Sequence, residues 1–139
     1  MYSAFENCIF DFALSRDPGD YWYDCVILEA SDILRKFDKG DWELLLKELK
    51  NKDNVWKKRL VECLGDLHVA YEFEVILRII NTGDEDLFIS CIDALRLLDL
   101  SGLGGRDKEE LLLRVLFLLD EASPPVKEIL GSFARKLKS

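Results

Sequence analysis

One pattern recurs four times in this chain and confines it to a narrow set of folds. It is Asp, an apolar residue three positions on, two adjacent apolar residues, an acid, a small residue, and then Leu. It reads Asp20, Tyr23, Ile27-Leu28-Glu29-Ala30, Leu34. It returns as Asp53, Trp56, Leu60-Val61-Glu62-Cys63, Leu67, and as Asp84, Leu87, Cys91-Ile92-Asp93-Ala94, Leu98. A worn fourth copy is Ser123, Val126, Leu130, Leu137, in which Gly131 and Ser132 replace the second apolar residue and the acid. The starts lie 33, 31 and 39 residues apart. Periods of this length mark a stacked array of small helical units, each unable to bury its apolar face alone.

The apolar spacing is helical along almost the whole chain, and no stretch alternates as a strand does. Ser3-Ala4-Phe5-Glu6 has the capping-box form and opens a helix to about Ser15. Asp17-Pro18-Gly19 breaks it, and a second helix spans about Asp20 to Phe37. Lys39-Gly40 is the next break, with Asp41 capping a third helix to about Asn51. Asp53 caps a fourth helix to about Leu67, a fifth covers Tyr71 to Ile80, and Asp84 caps a sixth. Ser101-Gly102-Leu103-Gly104-Gly105 leads into a seventh helix, Asp107 to Leu119, and Ser123-Pro124 opens an eighth. The first helices of the units repeat too: Leu44 to Leu49, Val75 to Ile80 and Leu111 to Leu116 align, placing Lys47, Arg78 and Arg114 at one position. The expectation is an all-α, short right-handed α-solenoid of four hairpins in one domain, over residues 3–37, 41–67, 70–99 and 106–137.

Charge narrows the function classes. With 19 Lys and Arg against 27 Asp and Glu, the net charge is −8. Nucleic-acid binding needs clustered bases, so this balance opposes it and favours a basic partner. Lys57-Lys58-Arg59, the one basic cluster of the middle, sits on a helix with balancing acids. The longest apolar run, Leu111 to Leu119, is interrupted by Arg114 and is far short of the roughly 20 residues that span a bilayer. Cys8, Cys25, Cys63 and Cys91 form no Cys-x-x-Cys pair, and His68 is the one histidine. The thiols are therefore expected to be reduced and buried in a cytoplasmic protein, with no metal site. His68 reads as a turn residue, and Gly102-x-Gly104-Gly105 follows a helix rather than the strand a phosphate loop requires. No catalytic residue and no cofactor is expected.

A helical wheel divides the repeat. Tyr23, Ile27 and Leu34, with Trp56, Leu60, Cys63, Leu67, Leu87, Cys91 and Leu98, share one face and should form the core. Leu28, Val61 and Ile92 flank it and should meet the neighbouring hairpin. Glu29, Glu62 and Asp93 point away and would form an acidic ladder across the second helices, about 8–10 Å apart. Trp22, Ile89, Asp66 and Asp86 lie on the same side. An aromatic anchor among acids is a common beginning of an interface. Two alternatives stand beside it: acids at outward helix positions are often only solvated, and Trp22 can instead be covered by the first helix.

Paired helices of this length, with Asp opening the second, resemble HEAT repeats over roughly residues 3–137. The stretch Glu74…Ile79-Ile80-x-Thr82-x-Asp84-Glu85…Asp93-Ala94-Leu95-Arg96 is further similar to small bacterial HEAT-like immunity proteins of polymorphic and contact-dependent toxin systems. That resemblance implies a cytoplasmic antidote, a monomer in expectation, that neutralises a basic toxin domain, such as a nuclease, by direct binding. Its contacts would be Trp22, Glu29, Glu62, Asp66, Asp86, Ile89 and Asp93. A HEAT-like adaptor or assembly factor with another basic client is the alternative. A HEAT-like repair enzyme would need a basic concave surface, which the charge opposes.

Overall fold

The computed structural model describes residues 1–138. Among them are eight α-helices and no β-strand. They are α1 (Tyr2–Ile9), α2 (Ile27–Arg35), α3 (Lys39–Glu48), α4 (Asn54–Glu62), α5 (Tyr71–Ile79), α6 (Glu85–Leu95), α7 (Gly105–Leu119) and α8 (Pro124–Lys138). Two 3₁₀ turns, Phe10–Ala13 and Leu49–Asn51, extend α1 and α3, and a π-helical turn, Trp22–Val26, leads into α2.

Short side chains cap three of the helix starts, those of α3, α4 and α6. The carboxylate of Asp53 accepts the Trp56 N–H at 2.9 Å, and that of Asp84 accepts the Leu87 N–H at 3.0 Å, as the sequence predicts. The start of α3 differs. Asp38 is the cap, accepting the Asp41 N–H at 2.9 Å, while Asp41 accepts the Asp38 N–H at 3.1 Å. Lys39-Gly40 thus lies inside the first turn instead of breaking the chain, because a reciprocal box satisfies two orphan donors at once. Gly105, preceded by Gly104, and Pro124 begin the last two helices.

The end of α4 also moves. The helix stops at Glu62, five residues before Leu67. Gly65 takes φ +116°, where a side chain is strained and where a Cβ would also stand 3.1 Å from Leu97 Cδ1. His68 follows at φ +61°. The turn is held by Glu72, fully buried at the start of α5. Its carboxylate accepts the N–H groups of Gly65 (2.5 Å), Leu67 (3.1 Å) and Val69 (3.4 Å). A buried carboxylate is costly unless its oxygens are filled, and here they are filled by backbone.

Helix α1 packs on α2 and α3, α4 on α6, α5 on α6, α6 on α8 and α7 on α8. One core runs through them, from Phe5 and Ile9 by way of Leu34, Leu45 and Leu60 to Ile76, Phe88, Cys91, Val115 and Phe133. Aromatic rings carry it across the first half. Phe5 meets Phe37 and Trp56 edge-on at 6.1 and 6.2 Å, Phe37 meets Trp42 at 5.0 Å, and Trp42 stacks on Tyr71 at 5.5 Å. Polar ties close the second half. The Arg114 guanidinium lies 3.8 Å from the Phe88 ring centre and donates to the Thr82 carbonyl at 2.6 Å. Lys136 Nζ donates to the carbonyls of Arg96, at 2.9 Å, and Leu98. No described helix is long and apolar enough to cross a membrane.

Candidate functional site

The start of the second helix corrects the face assignments. Trp22, expected outward, is 0% exposed, while Tyr23, expected in the core, is 47% exposed. The cause is the π turn. The Ile27 N–H reaches back five residues to the Trp22 carbonyl, so this turn holds one residue more than an α turn. Four-residue steps, which drift around an ideal α-helix, are thereby kept in line. The buried row is Trp22, Val26, Ala30 and Leu34. Trp22 therefore fills the core beneath the α1–α2 connection, with Phe12 at 5.5 Å between ring centres.

Glu62, expected on an open ladder, is turned inward with 13% of its side chain exposed. It accepts the Trp22 indole N–H at 3.2 Å, the Tyr23 hydroxyl at 2.7 Å and Arg59 Nη1 at 2.5 Å. Burial and this hydrogen bond to a carboxylate push the Tyr23 phenol up to about 12. Arg59 belongs to the basic cluster yet is fully buried. Its guanidinium also donates to the carbonyls of Phe12 (2.8 Å), Ser15 (3.2 Å) and Arg16 (2.7 Å). Such a planar fork, with five donors, suits a buried position where carbonyls and a carboxylate converge. The pair pins the α1–α2 connection across α4 and so covers the middle of the expected ladder.

The other candidates are dispersed. Asp93 lines the cleft between α4 and α6 with Glu62, Ser90 and Leu97, about 200 Å³ in volume, and pairs with Arg96 at 2.7 Å. Asp86 is bridged by Arg16 at 3.2 Å, and Arg16 also reaches Asp84 at 2.8 Å. Asp66 is exposed beside His68, 3.2 Å away. Ile89 is half-buried. Glu29 is exposed and forms no ion pair with a described residue. The structure thus brings Glu62 and Asp93 to one cleft, with both already partnered, and does not line up three free acids.

A different surface emerges around Glu29. Because the buried row runs in steps of four, the outward rows are Tyr21-Cys25-Glu29 and, beside it, Asp24-Leu28-Asp32, all exposed. Tyr21 is 66% and Leu28 65% exposed. Phe10 and Leu14 in the α1–α2 connection are also open to solvent, and the Tyr21 ring lies 6.3 Å from that of Phe12. Exposed apolar side chains of this size, with Asp11, Asp20, Asp24 and Glu29 exposed near them in sequence, give this region a mixed apolar and acidic surface. Leu28 was expected against the neighbouring hairpin. The signal that could have found the patch is the alternation of acids with large apolar residues from Phe10 to Asp32.

Chemistry is sparse elsewhere. Among the described residues, no group of three His, Cys, Asp or Glu side chains gathers as a metal site would require. The thiols are not all buried: Cys63 and Cys91 are, Cys8 is half-buried, and Cys25 is exposed in the outward row. Burial raises Cys91 to about 12 and Cys63 still further. Such thiols are poor nucleophiles, since the thiolate is the reactive form. Comparison of the chain with protein-family models, with curated proteins and with solved structures finds no match in any of the three.

Proposed function

We propose that this chain is a binding protein of the helical-repeat type, acting as an immunity protein that neutralises a basic toxin domain by direct contact. In this reading the eight helices are four hairpins, 3–37, 41–67, 70–99 and 106–137, stacked as a short right-handed α-solenoid. The succession of α4 on α6 on α8, with α7 against α8 and α5 against α6, supports that arrangement.

The observation that carries the functional reading is the outward face of α2. It presents Leu28 and, from the turn before the helix, Tyr21 in a field of Asp20, Asp24 and Glu29, and the flanking arginines, Arg16 and Arg35, are taken by Asp84 at 2.8 Å and Asp32 at 2.7 Å. Exposed apolar anchors supply the lifetime of a complex, and a surrounding single-sign field supplies its speed. A basic domain matches both features. Glu29 keeps its place among the contacts, Tyr21 and Leu28 join it, and Trp22 and Glu62 become supports beneath the surface.

The test is co-expression with a basic toxin domain encoded beside this chain, followed by calorimetry on the purified pair. Protection from toxicity and a 1:1 complex are expected. Leu28→Glu should weaken the complex at least tenfold while leaving the circular dichroism unchanged. A complex indifferent to Tyr21→Ala and Leu28→Glu removes this surface. Binding only to a basic client that is not toxic would turn the reading toward an adaptor.

A further inference from the structure

A second surface has the opposite character. A groove of about 520 Å³ runs between α3 and α5 and is lined by Lys47, Lys50, Lys57 and Arg78 over the apolar Leu49 and Ile79. No carboxylate lines it, in a chain with 27 acidic residues. Arg78 is held by Glu74 at 3.1 Å, whereas Lys47, Lys50 and Lys57 form no ion pair with a described residue. Three cations lining one groove without a carboxylate repel one another, and that repulsion is relieved when an anion enters. Leu49 and Ile79 are buried at the base, 6% and 4% exposed, so the floor is apolar and well packed.

We propose that this groove is a docking site for an acidic, amphipathic segment of a partner protein, with Glu or Asp side chains meeting Lys47, Lys50 and Lys57 and apolar side chains resting over Leu49 and Ile79. The cations come from the end of α3, the 3₁₀ turn after it, α4 and α5, so they are distributed along the groove and suit a string of carboxylates. The lining holds no aromatic ring on which a base could stack. The net charge of −8 repels a dense polyanion such as a nucleic acid at long range, and a short peptide offsets its own share of that repulsion through apolar contact. The site is independent of the α2 surface and of the identity of whatever binds there.

The probe is a fluorescein-labelled 14-residue peptide of Glu and Leu in helical amphipathic order, with a Gln-for-Glu counterpart, titrated into the full-length protein at physiological salt. The expected result is saturable binding of the Glu peptide, with amide shifts in ¹⁵N NMR confined to residues 46–50, 57 and 78–79. The triple variant Lys47→Glu, Lys50→Glu, Lys57→Glu should lose at least tenfold in affinity. The milder Lys47→Gln, Lys50→Gln pair should lose severalfold, which keeps the test informative if the reversal disturbs folding. Equal binding of the Gln peptide, shifts elsewhere on the molecule, or no binding overturns the proposal. So does tighter binding of a (dT)₁₂ strand or of phosphatidylserine vesicles, which would assign the groove to another class of anion.

Discussion

The indole N–H of Trp22 meets the carboxylate of Glu62 at 3.2 Å, joining two residues 40 positions apart in the chain. The same carboxylate neutralises Arg59, whose guanidinium has no exposed surface. Removing it strands a buried cation. Glu62→Leu is therefore expected to cost about 3 kcal/mol, the lower end for breaking a buried ion pair, because three carbonyls still hold the guanidinium. Glu62→Gln should cost less, since it keeps an acceptor for the indole. Urea denaturation of both variants checks the order. Equal stability of wild type and Glu62→Leu would show that the carboxylate supports nothing.

The outward rows of α2 make the opposite expectation. Tyr21 and Leu28 are exposed, and neither belongs to the buried core. Tyr21→Ala and Leu28→Ser should each change unfolding free energy by no more than about 0.5 kcal/mol. Melting curves of the purified variants are enough to decide. A large loss of stability would mean that these side chains are covered in solution.

Stability should fall in acid for an identifiable reason. The Arg16 guanidinium, and then the Leu87 N–H, hold the Asp84 carboxyl below its ordinary value of 3.8. The backbone N–H of Asp38, and further the Tyr2 N–H and the terminal ammonium, lower Asp41 in the same way. A carboxyl depressed in the folded state favours folding above its unfolded value, and that contribution disappears as pH falls through the folded value. The loss should therefore begin near pH 4 and continue below it. Asp84→Asn can still accept the Leu87 N–H but cannot pair with Arg16, so it should flatten the slope in that window. Stability of wild type and variant measured from pH 2 to 6 tests this.

The four thiols should separate by reactivity. Cys25 is exposed, whereas Cys63 and Cys91 are buried and raised by desolvation. Iodoacetamide under native conditions should label Cys25 first, with Cys8 slower. Cys63 and Cys91 should react only at the rate at which the chain opens. Peptide mapping by mass spectrometry at several urea concentrations gives the order.

The buried carboxylate of Glu72 holds three N–H groups of the turn after α4. Glu72→Ala leaves them unsatisfied and should destabilise the protein by about 3 kcal/mol. Gly65→Ala should add strain of its own, about 1–2 kcal/mol, because φ there is +116°. The two residues share one turn, so their effects should not add. A double-mutant cycle measures the coupling.

These particulars show which information is local. Eight helices were legible because apolar spacing at 3.6 residues persists through the chain, and Asp53 and Asp84 announced two starts because a cap acts within three residues. The core positions Leu34, Leu60, Leu87 and Cys91 followed from the same period. Trp22 and Tyr23 exchanged places because a single π turn rotates everything before it, and no residue type marks such a turn. Glu62 turned inward because of Arg59, whose partners Phe12, Ser15 and Arg16 lie more than 40 positions away. The end of α4 is hidden for a different cause: the partners of Glu72 lie only three to seven residues away, but residue type alone does not say that its carboxylate turns inward onto their N–H groups.

The α1–α2 connection is bound to α4 through Arg59 and then to the head of α6 through Arg16, which spans Asp84 and Asp86. In a linear stack each unit touches only its immediate neighbours, and such a stack can unzip from either end. Here the α1–α2 connection, held to α4, reaches on to the head of α6. Opening of the chain is then expected to begin at the carboxyl-terminal pair, α7 and α8, whose amide hydrogens should exchange first.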